Sequence, residues 1–206
     1  MRRRARRRCS GAAPPPPAKT ASGSSKWTAS ATSLPPSGKI PPPGTGLDLG
    51  DIDGDGLADL AIGSPGNGGE VSLVLSPPTS GSLESVRDAA LDGTDDDGES
   101  EAGAGVALGE LDGDGELDLV AGAPLLSTKE GSGGVYVVPG PLGASLSLHG
   151  EVLALVGASG DGPNVGEHLV FAGDVDGGGG QDLLLSGYAS GDNDRGRVWL
   201  VLGEEL

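Results

Sequence analysis

Acidic residues recur at alternate positions of a short glycine-containing segment, and the segment occurs three times. The first copy places Asp51, Asp53, Asp55 and Asp59 at positions 1, 3, 5 and 9, with Gly54 and Gly56 between them. Alternate acids in a tight loop converge on one point, and carboxylates held ~4–5 Å apart repel one another unless protons or a cation intervene. A hard divalent cation relieves that repulsion at neutral pH, so the spacing predicts a metal site.

The second and third copies keep the spacing but change some of the residues. Glu110 replaces the first aspartate of the second copy, and Gly178 replaces the position-5 acid of the third. We therefore expect cation occupancy to fall from the first loop to the third. The candidate metal ligands are Asp51, Asp53, Asp55, Leu57 and Asp59 in the first loop, Glu110, Asp112, Asp114, Glu116 and Asp118 in the second, and Asp174, Asp176 and Asp182 in the third.

Ca²⁺ is the ion that these ligands favour. It accepts six to eight oxygens in flexible geometry, and the Leu57 carbonyl at position 7 is well placed to supply one. Mg²⁺ demands stricter octahedral geometry, and Zn²⁺ would need Cys or His, which are not nearby. An EF-hand is excluded, because it carries Glu at position 12 and lies between helices. Here position 12 is Ile62, Ala121 and Leu185, and the flanks are strand-like.

Short apolar stretches separated by turn residues surround each acidic loop. A glycine and an apolar stretch precede the loop, and a second apolar stretch, a turn and an alternating strand follow it. The spacings are too short for intervening helices, so each unit of ~60 residues is predicted to be a four-stranded meander. The repeats lie near residues 44–93, 102–156 and 165–203, and the third stops one strand short.

Over roughly residues 44–203 the chain resembles the FG-GAP repeats of integrin α-subunit β-propellers and their bacterial relatives. The Gly-Ala-Pro signature stands at residues 122–124 and, as Gly-Ser-Pro, at 63–65; the third unit has Ser-Gly-Tyr at 186–188, and the Phe of the Phe-Gly signature is absent. The resemblance implies an all-β, β-propeller-like fold in which each Ca²⁺ loop links the first two strands of a blade.

About three blades make an incomplete ring, since known propellers use four to eight. The chain is then a fragment of a longer propeller, a ring completed by a partner, a homo-oligomer or an open array. Unpaired strand edges in an open array favour association.

Charge divides the chain into a basic tail and an acidic domain. Net charge is −17, yet residues 1–40 hold nine of the 13 basic residues and none of the 30 acidic ones. Residues 1–43 are predicted to be disordered, and they lack the apolar stretch of a secretory signal. Residues 44–206 form the predicted propeller segment, whose negative charge opposes nucleic-acid binding. No apolar run is long enough for a transmembrane helix.

No catalytic motif is evident in the sequence, and paired carboxylates occur only in the acidic loops. The sequence therefore predicts a non-catalytic Ca²⁺-binding module for extracellular or cell-surface binding or adhesion, with a protein or glycan ligand that it does not identify. The relatives act in adhesion, ligand binding and extracellular assembly, and some accompany enzyme domains. Two alternatives stay open: accessory blades of a larger secreted hydrolase, and a truncated propeller fragment that does not fold alone.

Overall fold

The computed structural model describes residues 45–76, 82–94, 100–127, 132–148, 153–156, 164–187 and 195–203. All of them belong to one compact unit, Thr32–Leu206. The tail predicted to be disordered, residues 1–43, lies outside the described residues. Within these ranges the chain forms strands and one four-residue helix, which confirms the all-β fold class. No helix in the described part of the chain has the length and apolar character needed to span a bilayer.

The strands form three sheets, which we call blades 1, 2 and 3. Blade 1 contains β1 (Leu47–Gly50), β2 (Asp59–Ser64), β3 (Glu70–Val74), β4 (Ala89–Asp92) and β8 (Leu146–Ser147), with helix α1 (Leu83–Val86) between β3 and β4. Blade 2 contains β5 (Val106–Gly109), β6 (Asp118–Ser127), β7 (Ser132–Val138) and β9 (Leu153–Val156). Blade 3 contains β10 (His168–Gly173), β11 (Asp182–Gly187) and β12 (Arg197–Val201).

Each blade repeats the antiparallel meander that the sequence predicts. Strands that follow one another in the chain pair side by side, and the β1–β2, β5–β6 and β10–β11 hairpins open the three blades. Blade 3 has three strands among the described residues. Strand β8 was not predicted. It pairs in parallel with β4, so the chain after β7 returns from blade 2 to the outer edge of blade 1.

The core lies between the blades. One buried apolar layer joins blades 1 and 2 and includes Leu73 and Leu119. A second joins blades 2 and 3 and includes Val120 and Leu183, and Trp199 packs against this cluster. Successive residues of a strand point to opposite faces of its sheet, so Leu119 packs toward blade 1 and Val120 toward blade 3. Blade 2 therefore contributes both of its faces to the core.

Glycines determine how closely neighbouring blades approach. A Cβ atom built on Gly63 would lie 2.0 Å from the carbonyl oxygen of Gly103, and one built on Gly122 would lie 1.8 Å from that of Gly166. Neither distance is physically possible without a shift of the backbone, so adjacent blades meet backbone to backbone at these points. Glycine in a strand often marks such a close approach.

Gly122→Ala should destabilise the protein by about 3 kcal/mol, because the new methyl group forces blades 2 and 3 apart. Gly143→Ala is the matched control, since Gly143 is exposed and a Cβ there meets nothing within 4 Å. Its effect should stay within about 0.5 kcal/mol. Urea unfolding followed by circular dichroism gives both values. Equal stabilities of the two variants would contradict the backbone contact described between these blades.

Candidate metal centre

The three acidic loops occupy equivalent places in the fold. Each one connects the first two strands of its blade, and the loop glycines supply the sharp turns that the sequence predicts. Gly54 has φ 78° and Gly56 has φ 87°, and the equivalent glycines of the other loops, residues 113, 115, 177 and 179, also have positive φ. A Cβ on Gly56 would meet nothing within 4 Å. The backbone conformation, rather than lack of space, is what requires glycine there.

Three acids of each loop converge. In every group one carboxylate oxygen from each residue lies within 4.8 Å of the others; the groups are Asp51, Asp53 and Asp59, then Glu110, Asp112 and Asp114, then Asp174, Asp176 and Asp182. Two unit charges separated by 4.8 Å repel by about 1 kcal/mol in bulk water and by about 3.5 kcal/mol at an effective dielectric constant of 20. The convergence therefore creates the electrostatic conditions for binding a cation.

Three of the predicted acidic ligands lie in the loops but outside these groups: Asp55, Glu116 and Asp118. The Leu57 carbonyl is a backbone ligand and stays a prediction. The Asp55 carboxylate accepts hydrogen bonds from the Leu57 N–H at 2.7 Å and the Ser76 hydroxyl at 3.0 Å. The Glu116 N–H donates to the Asp114 carboxylate at 2.8 Å, which is the equivalent bond in the second loop. Position-5 acids thus stabilise the turn that follows them.

The first loop is the best fit to a cation. Asp51 Oδ2 accepts the Gly56 N–H at 2.8 Å, whereas Asp51 Oδ1 is buried and has no hydrogen-bond partner among the described residues. A buried carboxylate oxygen without a partner is costly, and an adjacent cation would provide one. Asp51 and Asp53 are half-buried and Asp59 is buried, whereas two of the three acids in each other group are exposed. Solvent therefore screens the repulsion least in the first loop.

The position-9 aspartate of each loop is buried, and both of its carboxylate oxygens accept backbone N–H groups. In blade 1, Asp59 accepts from Ile52 at 2.9 Å and from Ser76 at 2.7 Å. The same pair of bonds joins Asp118 to Leu111 at 2.7 Å and Gly140 at 3.1 Å, and Asp182 to Val175 at 2.7 Å and Gly203 at 3.1 Å. The first donor lies in the loop itself and the second follows the third strand of the blade. The carboxylate thus ties these two segments together.

This backbone role was missed at the level of the sequence, where position 9 was interpreted only as a ligand. A signal for it exists in the strand pattern. Asp59 is the first residue of β2 and shares the face of the buried Ala61 and Gly63. A buried acid at the start of a strand needs N–H donors, and the adjoining turns supply them.

The surroundings of Asp118 in the second loop shift the pKa of its carboxyl group. Burial raises the pKa of Asp118 above its usual value, and the carboxylates of Asp112 and Asp114 raise it further. The N–H groups of Leu111 and Gly140 oppose that rise, because they favour the ionised form. A cation between the loop acids would add to their effect and favour the ionised carboxylate.

A cavity of about 650 Å³ lies at the opposite ends of the first strands from the acidic loops. Its lining includes Thr45 before β1, Val106 at the start of β5, and Glu101 and Glu167. Glu167 Oε2 is buried and has no hydrogen-bond partner among the described residues. A ligand that places a cationic group in this cavity would gain an ion pair and relieve that buried oxygen.

Comparison with known proteins assigns the family. No curated protein matches the chain. The family model described as the FG-GAP repeat matches residues 43–74 and 102–138. The first match ends with β3 and includes the first acidic loop, and the second ends with β7 and includes the second loop. FG-GAP repeats build β-propellers, in agreement with the three stacked meanders. The segments 43–74 and 102–138 are therefore identified as FG-GAP repeats.

Proposed function

We propose that this protein is a non-catalytic, Ca²⁺-stabilised propeller module that mediates binding or adhesion outside the cell. The observation that carries the proposal is the first acidic loop, where three carboxylates converge and the buried Asp51 Oδ1 has no hydrogen-bond partner among the described residues. Asp51, Asp53 and Asp59 would hold the ion. When bound, Ca²⁺ neutralises their repulsion and links the two ends of the loop.

The same loops support a structural role for the ion rather than a catalytic one. The position-9 acids are engaged by two backbone N–H groups each. Both oxygens of these carboxylates are therefore already occupied by the backbone, which suits a structural role better than a catalytic one. FG-GAP repeats are typical of extracellular proteins, where Ca²⁺ is abundant enough for sites of modest affinity. The ligand, a protein or a glycan, is recognised elsewhere on the module.

Calcium should stabilise the folded chain. A ligand that binds only the folded state at about 100 times its Kd adds about 2.7 kcal/mol, which corresponds to a rise in Tm on the order of 5–10 °C. Differential scanning calorimetry with millimolar CaCl₂, with MgCl₂ and with chelator measures this rise, and isothermal titration calorimetry measures the heat of binding. Ca²⁺ should give the largest shift, because Mg²⁺ demands stricter geometry.

Asp53→Ala should remove most of that increment, because it deletes one of the three converging carboxylates of the first loop. Glu84→Ala is the charge-matched control, since Glu84 is an exposed acid of α1 outside every acidic group. The control should keep the full response to calcium. A wild-type protein without heat of binding, or an Asp53→Ala variant that binds like the wild type, would refute the assignment of these ligands.

Two isosteric substitutions distinguish the backbone-binding role of Asp59 from the cation-binding role of Asp53. Asp59→Asn places an amide NH₂ against one of two N–H donors and should cost about 2–3 kcal/mol even with chelator present. Among the described residues Asp53 accepts only the Asp55 N–H, at 3.1 Å through one oxygen, so Asp53→Asn keeps that bond. It should preserve the cation-free Tm and lose only the calcium response. Equal Tm values of the two variants in chelator would show that Asp59 has no special structural role.

The two alternatives from the sequence have their own tests. A longer reading frame that carries a nucleophile or a metal-protease motif would favour accessory blades of a secreted hydrolase. A coil-like circular dichroism spectrum at saturating Ca²⁺ would favour a propeller fragment that does not fold alone. The matching hydrogen bonds in all three blades favour the folded module over that fragment.

A further inference from the structure

The cavity opposite the acidic loops is lined by equivalent residues of all three blades. The first strand of each blade begins at its wall, so the same positions of the repeat recur there. The register of the first hairpins makes two such positions equivalent: Leu47, Val106 and Leu169 at one, and Thr45, Ala104 and Glu167 two residues earlier. The repeated fold therefore fixes the wall, and the residues that differ between blades determine its chemistry.

Glu101, one of the two acids in the wall, has a backbone conformation that suits other residues better. Its φ is 54°, and the equivalent residue of the next repeat, Asn164, has φ 76°. Both residues open the same turn, since the Ala104 N–H donates to the Glu101 carbonyl at 3.2 Å and the Glu167 N–H donates to the Asn164 carbonyl at 3.4 Å. Asparagine tolerates a positive φ far better than glutamate does. The turn does not require glutamate there, and an unfavourable backbone at a cavity wall points to a function of the side chain.

Glu167 is the second acid in the wall, and the turn does not require it either. Thr45 and Ala104 occupy its position in the first two blades. Glu167 Oε2 is buried and has no hydrogen-bond partner among the described residues. A buried carboxylate oxygen without a donor is unfavourable, so a ligand that supplies the donor accounts for this glutamate.

The remainder of the wall restricts the kind of ligand. The described lining residues include no lysine or arginine, and the other ionisable one, His168, is exposed. Leucine, valine and proline side chains form most of the rest. Neither glutamate belongs to a described group of three converging metal ligands, which disfavours a metal ion. A volume of about 650 Å³ lies in the range of small-molecule sites, which combine apolar walls with a few polar groups.

We propose that this cavity binds a small organic cation, an ammonium or guanidinium group on a compact apolar body. Glu101 and Glu167 accept hydrogen bonds from the cationic group, and the apolar lining residues contact the body. The occupant is a free molecule, because the cavity is concave and compact, whereas a stable protein interface needs about 800 Å² on each partner. The site goes beyond the proposed calcium module, since it lies at the opposite strand ends from the acidic loops and does not depend on calcium.

Hexylamine is the probe, titrated into the full chain at constant CaCl₂ and followed by saturation-transfer difference NMR. It should bind at least about tenfold more tightly than 1-hexanol, which lacks the charge, because a hydrogen bond to a charged group is worth that much or more. Methylamine lacks the apolar body and should also bind more weakly, and hexanoate should not bind. A peptide with one central lysine should bind more weakly than hexylamine, since it brings a polar backbone to an apolar wall.

Two conservative variants test the two acids separately. Glu101→Asn introduces the residue that the next repeat carries, and Glu167→Gln keeps the shape of the side chain but removes its charge. Each should weaken hexylamine binding by about tenfold or more. Each should also keep the Tm of the wild type or raise it, because the first fits a positive φ and the second removes an unpaired buried charge. Glu84→Gln is the matched control, since it removes one exposed charge on α1 and should not change the affinity.

A purely structural role for the glutamates would give the reverse result, a lower Tm with unchanged affinity for hexylamine. The proposal is overturned by that result, by 1-hexanol or the lysine peptide binding as tightly as hexylamine, or by Glu84→Gln weakening binding as much as the cavity variants do. Circular dichroism checks that each variant is folded, and either cavity variant is sufficient if the other unfolds. Loss of the calcium response alone would leave these affinities unchanged, so the two proposals fail independently.

Discussion

The fold depends on one interaction that recurs in every blade: a buried carboxylate that accepts two backbone N–H groups from different segments. Asp59, Asp118 and Asp182 each connect the acidic loop to the chain that follows the third strand. Hydrogen bonds to a charged group are worth about 1.5–3 kcal/mol each, more than neutral ones. In a chain with 2% aromatic residues, such bonds supply order that a core rich in large side chains would otherwise provide.

The acidic motif therefore divides its residues between two tasks. The last acid of each loop is buried and accepts two N–H groups, and in the first and third loops it also converges with the earlier acids, which are half-buried or exposed. The buried acid fixes where the loop begins and ends, which brings the other carboxylates together whether or not a cation is present. Preorganisation of this kind lowers the cost of collecting several like charges around an ion, because folding has already positioned them.

Repeat spacing and residue type were sufficient to predict the all-β class, the three meanders and the hairpin position of the acidic loops. Comparison of the repeats with one another detects only the features that recur along the chain. Strand β8 and helix α1 do not repeat, so no internal comparison could find them. The backbone role of Asp59 was missed for another reason: its second donor, Ser76, lies 17 residues away, and local spacing does not show which turn reaches the carboxylate.

Differences between repeats carry as much information as their similarity. A glycine that contacts the next blade looks replaceable in a single repeat, yet Gly63 and Gly122 have no room for a methyl group. Ser186 stands at the same register position in blade 3, on a sheet face that it shares with Val198. Ser186 can carry a Cβ atom there because no described segment packs closely on that face, where the neighbouring Val198 is 70% exposed.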